Sequence, residues 1–156
     1  MTHLKAGDKA PWFEGPDQHN NTVKLSDFAG KTLILYFYPK DNTPGCTAEA
    51  VNLKENHEVL AAQGFSVVGV SPDTVASHKR FTEKYDLPFP LVADPEKKIL
   101  NDYGVWGEKK NYGRTYMGVH RTTFVIDGEG IILHVITKVK TKEHAEQILG
   151  MMKESQ

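Results

Sequence analysis

Two uninterrupted apolar runs restrict what this chain can fold into. Leu33 to Tyr38 (LILYFY) and Phe65 to Val70 (FSVVGV) read as buried strands. Between them Ala50, Leu53, His57, Leu60 and Ala61 recur at helical spacing, and Gly64 stands where a helix C-cap is needed. Strand, helix and strand make a βαβ unit. A further strand, Thr123 to Ile126, runs through Asp127-Gly128-Glu129-Gly130 into Ile131 to Ile136, and an Asp-Gly turn between β-rich runs signals a hairpin. Periodicity places other helices over Val75 to Tyr85, Glu96 to Tyr103 and Lys142 to Lys153. Alternating elements followed by a hairpin and a helix predict an α/β fold, a mixed sheet covered by helices. Gly104 to Gly118 holds four glycines and little periodicity, so it is expected to be a long, functional loop. With no repeat and no linker, the 156 residues are expected to form one domain over 1–156.

Charge narrows the partners. Nineteen basic and twenty acidic residues leave a formal net charge of -1 with neither sign in a block, so neither nucleic acid nor anionic lipid is expected to bind. No apolar run approaches a membrane span, and the N-terminal stretch has no uninterrupted apolar core; the expectation is a soluble cytoplasmic protein. Seven histidines are scattered without ligand spacing, so no metal is expected, and no cofactor motif is present. A single cysteine, Cys46, cannot form an internal disulfide. Any redox role must involve a second molecule.

Cys46 follows a turn-rich stretch. Pro39 ends the first strand, Lys40-Asp41-Asn42-Thr43-Pro44-Gly45 are turn formers, and helix formers begin at Ala48. The thiol therefore lies at a helix N-terminus, where free N–H groups and the helix dipole favour the thiolate. A lone cysteine can equally be a small buried hydrophobe. Thr43 to Cys46 reads T-P-G-C where a thioredoxin-like oxidoreductase would carry C-x-x-C, which excludes dithiol exchange within the motif. A hydroxyl and a thiol on one turn suit attack by the sulfur with the hydroxyl as hydrogen-bonding partner.

The run Pro39 to Cys46, preceded by LILYFY, resembles the P-x-x-x-T/S-x-x-C motif of peroxiredoxins. The likeness extends over nearly all of residues 4 to 153 and is similar to the peroxiredoxin Q, or bacterioferritin comigratory protein, group. It includes AGDKAPWFEGPDQHNNTVKLSDFAGKTLILYFYPK, GVSPD and YGVWGEKKNYGRTYMGVHRTTFVIDGEGII. The resemblance implies a thioredoxin-like fold, with a mixed central sheet, helices on both faces and an N-terminal β-hairpin. It implies that Cys46 is the peroxidatic nucleophile, oxidised to a sulfenic acid by hydrogen peroxide or an organic hydroperoxide. Thr43 and Arg121 match the family's hydrogen-bonding pair, and Pro39 its shielding proline; a turn-forming or helix-capping role of the Thr43 hydroxyl can hold at the same time. Where many members of the group carry a resolving cysteine this chain has Val51. It thus resembles the one-cysteine variant, which needs an external thiol such as thioredoxin, glutaredoxin or glutathione. The group's habit implies a monomer, with a weak or Cys46-linked dimer as the alternative. A non-enzymatic redox sensor, signalling through a mixed disulfide at Cys46, is the competing function. A cysteine hydrolase lacks its flanking signature here. His120, beside Arg121, either lines the pocket or, since strand neighbours point to opposite faces, is a structural histidine facing the other way. Trp106, Tyr112 and Tyr116 either edge a substrate entrance or pack the long loop.

Overall fold

The chain alternates strands and helices along most of its length, and the computed structural model describes residues 1–154 of it. The last two residues of the expected 1–156 domain lie outside the described residues. A small antiparallel hairpin, β1 (Glu14–Pro16) and β2 (Thr22–Lys24), comes first. Then follow β3 (Thr32–Phe37), α1 (Pro44–Glu55), α2 (His57–Ala62), β4 (Phe65–Ser71), α3 (Val75–Tyr85), β5 (Leu91–Ala93) and α4 (Lys98–Asp102). A second hairpin, β6 (Trp106–Asn111) with β7 (Arg114–Val119), precedes β8 (Thr122–Ile126), β9 (Ile132–Ile136) and α5 (His144–Glu154).

Five strands make the central sheet in the order β5-β4-β3-β8-β9. β3, β4 and β5 are parallel; β8 is antiparallel to β3 and β9 to β8. The unbroken apolarity of LILYFY follows from that central position, because helices or loops cover both of its faces. Leu33, Leu35 and Phe37 enter one core with Phe13, Val70 and Phe124, whereas Ile34, Tyr36 and Tyr38 enter the other with Leu53, Phe81 and Ile148. Cys46 belongs to the second core.

Three expectations need correction. The helix between the first two strands is broken at Asn56, whose side-chain Nδ2 donates to the Asn52 carbonyl at 2.9 Å and so competes with the helical ladder. Gly64, with φ +86°, still supplies the left-handed residue that ends α2. The stretch Gly104 to Gly118 is not a loop but the β6–β7 hairpin, closed by Tyr112 and Gly113, both at positive φ as a two-residue primed turn requires. Its strands escaped notice because they pair mainly with each other, and exposed residues such as Glu108, Lys110 and Arg114 give no alternation against a core. The third helix is shorter than expected, Lys98–Asp102, and β5 has only three residues, too few to show a period.

Candidate active site

The two central strands deliver the site from 75 residues apart. Thr122 pairs with Phe37, so Arg121, just before β8, and the loop leaving β3 emerge side by side at one end of the sheet. Half-buried Pro39 stands in that loop, and Thr43, in extended conformation (φ −100°, ψ 157°), is the N-cap residue of α1. Pro44, Gly45 and Cys46 form the first turn, in which backbone N–H groups have no intrahelical acceptor. A Cβ on Gly45 would stand 3.3 Å from Arg121 Nη2, so glycine leaves the guanidinium its room.

Cys46 is buried, at 2% exposure, and Arg121 Nη2 donates to its Sγ at 3.3 Å. Arg121 Nη1 donates to Glu49 Oε1 at 2.6 Å. Glu49 lies three residues after Cys46 and thus on the same face of α1, so one guanidinium spans a sulfur and a carboxyl from one helix. Burial raises the Glu49 carboxyl to about 7, against the opposing pull of Arg121. Beyond it, His144 Nε2 stands 3.6 Å from Glu49 Oε2 and 2.8 Å from Thr123 Oγ1. Burial lowers His144 to about 4, with Arg121 adding to the effect and the Gln147 hydrogen bond opposing it.

The Thr43 hydroxyl does not cap α1. It donates to the Lys40 carbonyl at 2.7 Å, a tighter local bond that uses its one hydrogen and leaves its lone pairs free. The loop holding Lys40 is itself pinned by Asp41. Its carboxylate accepts from Tyr38 Oη at 2.6 Å and Ser77 Oγ at 2.8 Å and lies 2.7 Å from His78 Nδ1, while its N–H donates to Asp73 Oδ2 at 2.8 Å. Asp41, Asp73 and His78 place ligand-type atoms within 4.8 Å of one another, but protein partners already engage each atom. The cluster acts as a buttress for the loop.

A family model described as the AhpC/TSA family matches residues 6–135. The chain belongs to the AhpC/TSA family. Peroxiredoxin Bcp from Bacillus subtilis (strain 168) is 46% identical over 151 residues, covering 97% of this chain and 96% of the relative. A cysteine-to-serine variant of peroxiredoxin Q from Xanthomonas campestris superposes with a TM-score of 0.89 at 32% identity, over 98% of this chain and 100% of that one. A structure described as giving insight into the alkyl peroxide reduction activity of the bacterioferritin comigratory protein from the same organism covers 99% of both chains, with a TM-score of 0.86 and 31% identity. This AhpC/TSA-family chain therefore has the thioredoxin-like fold expected of it, and it is a thiol-dependent peroxidase.

Of the residues singled out in the sequence, the structure brings Cys46 and Arg121 into contact and places Thr43 and Pro39 in the loop and cap beside them. His120 turns away, its Nε2 3.0 Å from the Glu108 carbonyl in the β6–β7 hairpin. Trp106, Tyr112 and Tyr116 are strung from the base of that hairpin to its tip, where Tyr112 is fully exposed, so they form no single cluster. Among the described residues no helix is long and apolar enough to cross a membrane. Glu49 and His144 were not foreseen. A carboxylate three residues after the only cysteine was the available signal for Glu49; His144 had none, since its role depends on how α5 packs on α1.

Proposed function

We propose that Cys46 is the nucleophile with which this peroxidase reduces hydrogen peroxide and organic hydroperoxides. Arg121, Thr43 and the Cys46 N–H hold the peroxide, and Pro39 shields the sulfur from water. The observation that carries the reading is the Arg121 guanidinium bonded at once to Cys46 Sγ and Glu49. It fixes a cation and its remaining donors over the first turn of α1. The thiolate attacks the terminal peroxide oxygen, the S–O bond forms as the O–O bond breaks, and alkoxide or hydroxide departs to be protonated. Thr43, whose hydrogen is committed to Lys40, accepts the peroxide O–H and so orients it. The alkyl peroxide activity attached to the Xanthomonas campestris relative supports organic hydroperoxides as substrates.

Thiolate formation alone would achieve little. A thiol whose pKa falls from about 8.5 to about 6 becomes roughly 30-fold more ionised at pH 7, but a Brønsted slope of about 0.45 removes roughly 13-fold in nucleophilicity. Donors placed at the departing oxygen must supply the rest. Arg121→Lys keeps the charge and loses the planar fork; it is expected to slow peroxide reduction about 10-fold or more, on the order of 1.4 kcal/mol in barrier. Stopped-flow rates beside a pH titration of the thiolate absorbance check this, and a rate loss explained wholly by altered ionisation would refute it.

With no second cysteine, the sulfenic acid condenses with an external thiol, releasing water, and a second thiol then frees Cys46. Thioredoxin, glutaredoxin and glutathione have the required chemistry, and the reducing cytoplasm supplies all three. We place the protein there as a monomer; burial of the sulfur means that a Cys46-linked dimer would need α1 to open. Peroxide consumption in excess dithiothreitol tests the function: repeated turnover is expected, and a single stoichiometric event would instead mark a redox sensor.

Val51 is half-buried against a surface cleft with Thr43, Pro44 and Thr47, while Cys46 faces the core. Five residues along an ideal helix separate the two side chains by about 140°, so no disulfide could link these positions without unwinding. Next to Val51, Asn52 ties α1 to α5: its Oδ1 accepts from Ala145 N at 2.7 Å and its Nδ2 donates to the Lys142 carbonyl at 3.0 Å. After one equivalent of peroxide, Val51→Cys is expected to lose two hydrogens in intact mass slowly, and the Val51→Cys, Asn52→Ala double variant quickly. Oxygen gain with no disulfide in either would mean that α1 does not open on this route.

A further inference from the structure

One guanidinium here faces two groups that can each become an anion. Arg121 bonds Cys46 Sγ and Glu49 Oε1, and both acceptors are enclosed, Cys46 at 2% exposure and Glu49 at 0%. With thiolate and carboxylate both ionised, the trio would hold one uncompensated negative charge away from water, which is costly enough to draw in a proton. The site therefore holds a proton whenever it holds the thiolate.

Hydrogen bonding locates that proton. Gln147 Nε2 donates to the Lys138 carbonyl and its Oε1 accepts from Lys140 N, which fixes the amide orientation. His144 Nδ1, 3.0 Å from that same Oε1, must then carry the ring hydrogen. His144 Nε2 is left as a lone pair that accepts the Thr123 hydroxyl. Glu49 Oε2, buried and without a hydrogen-bond partner among the described residues, thus faces an acceptor at 3.6 Å. An anionic oxygen there would be unpaired and would face the Nε2 lone pair with no hydrogen between them, whereas a carboxylic O–H relieves that repulsion, sharing with the Thr123 hydroxyl the one lone pair of Nε2. Tyr36 of β3 adds no charge, since burial holds its hydroxyl well above its ordinary pKa. Burial moves Glu49 up and His144 down, so of that pair it is Glu49 that keeps the proton.

We propose that Glu49 is a carboxylic acid while Cys46 is a thiolate, and that oxidation of the sulfur transfers the site's negative charge to Glu49. The inference rests on Cys46 as the nucleophile. The step balances: Cys46 thiolate, ROOH and Glu49 carboxylic acid become Cys46 sulfenic acid, ROH and Glu49 carboxylate. Sulfur loses two electrons to the peroxide, the S–O bond replaces the O–O bond, and the proton released by Glu49 matches the one taken up by the departing alkoxide, with solvent as carrier. Arg121 pairs with sulfur before the reaction and with Glu49 after it, so the cation never lacks an anion. Glu49 is a positioning residue whose protonation follows the redox state of a sulfur it does not touch.

Infrared spectroscopy of the full chain reads the carbonyl stretch of a protonated carboxyl, assigned to Glu49 by its loss in Glu49→Gln. Labelling with carbon-13 glutamate identifies the band as a glutamate's without a substitution, and comparing spectra before and after oxidation links it to the sulfur. In reduced wild type the band is expected to persist at pH values where thiolate absorbance is already developed, and to give way to carboxylate after one equivalent of peroxide. In Cys46→Ser, where no sulfur anion competes for Arg121, it is expected to vanish at a pH lower by about one unit or more. Loss of the band before the thiolate appears, or an identical titration in Cys46→Ser, would overturn the proposal. The serine comparison needs no peroxide. If peroxide left the mass of wild type unchanged, the peroxidase role of Cys46 would fall while this comparison still decided the state of Glu49.

Discussion

Cys46→Ser is expected to abolish peroxide reduction and leave the fold intact. The chain has no other thiol, and its four methionines are thioethers that cannot form a thiolate. A serine hydroxyl has no accessible anion near neutral pH, whereas a thiol of ordinary pKa is already a few per cent ionised there. The oxygen is also a poor electron donor to peroxide, so the loss is one of chemistry as well as of ionisation. Structure gives the substitution little reason to unfold the chain. The serine hydroxyl is close to the thiol in size, and it stays within reach of the Arg121 donor that now bonds Sγ. Activity should drop to the rate of peroxide with the reducing thiol alone, a fall of at least about a thousandfold if the enzyme has the usual advantage over the uncatalysed reaction. Peroxide consumption in excess dithiothreitol, with circular dichroism to confirm the fold, measures both halves. A variant retaining a tenth of wild-type activity would remove Cys46 from the role proposed for it.

What was legible in the sequence was whatever left a local pattern. LILYFY announced a strand covered on both faces, and Val75 to Tyr85 a helix with matching bounds, because burial imposes an unbroken apolar run on one and helical spacing on the other. The first turn of α1 was legible in Pro39 to Cys46, since turn formers must hand over to helix formers where a helix begins. Cys46 at a helix start and buried in a core looked like competing readings, yet both hold, as the third helical residue can face inward while its N–H stays unpaired in the ladder. Contacts between distant elements left no pattern. The pairing of Glu49 with Arg121 depends on β8 lying beside β3, and that of Glu49 with His144 on α5 packing across α1. Of the two local roles open to the Thr43 hydroxyl, the turn-forming one holds: the side chain is directed at the Lys40 carbonyl, and its oxygen accepts from no N–H of the first turn of α1.

Stability should respond to acid in opposite ways in Glu49→Gln and His144→Gln. Burial raises the Glu49 carboxyl from 4.5 to about 7, so the folded chain binds a proton that the unfolded chain has lost across that interval. This contribution is fully present below pH 4.5 and lost as pH rises through about 7. His144 runs the other way, lowered from 6.5 to about 4; its contribution is fully present above 6.5 and lost as pH falls through about 4. Either shift amounts to about 3 kcal/mol as an upper bound, at roughly 1.4 kcal/mol for each pH unit. In wild type the two nearly offset each other between pH 7 and 4.5, the gain at Glu49 masking the loss at His144. Glu49→Gln removes the gain, so between pH 7 and 4.5 it should lose up to about 3 kcal/mol more than wild type, on the order of 6 to 12 °C in midpoint for a domain of this size. His144→Gln removes the loss and should become more stable relative to wild type over the same acidification. The two side chains stand 3.6 Å apart, so the double variant is not expected to show the sum of the single effects. Urea unfolding of wild type and the three variants at pH 7 and pH 4.5 separates these changes from every other titrating group, because only differences between proteins are compared. Parallel pH dependence in all four would show that neither buried group changes its proton on folding, and would remove the support that burial lends to a protonated Glu49 beside the thiolate.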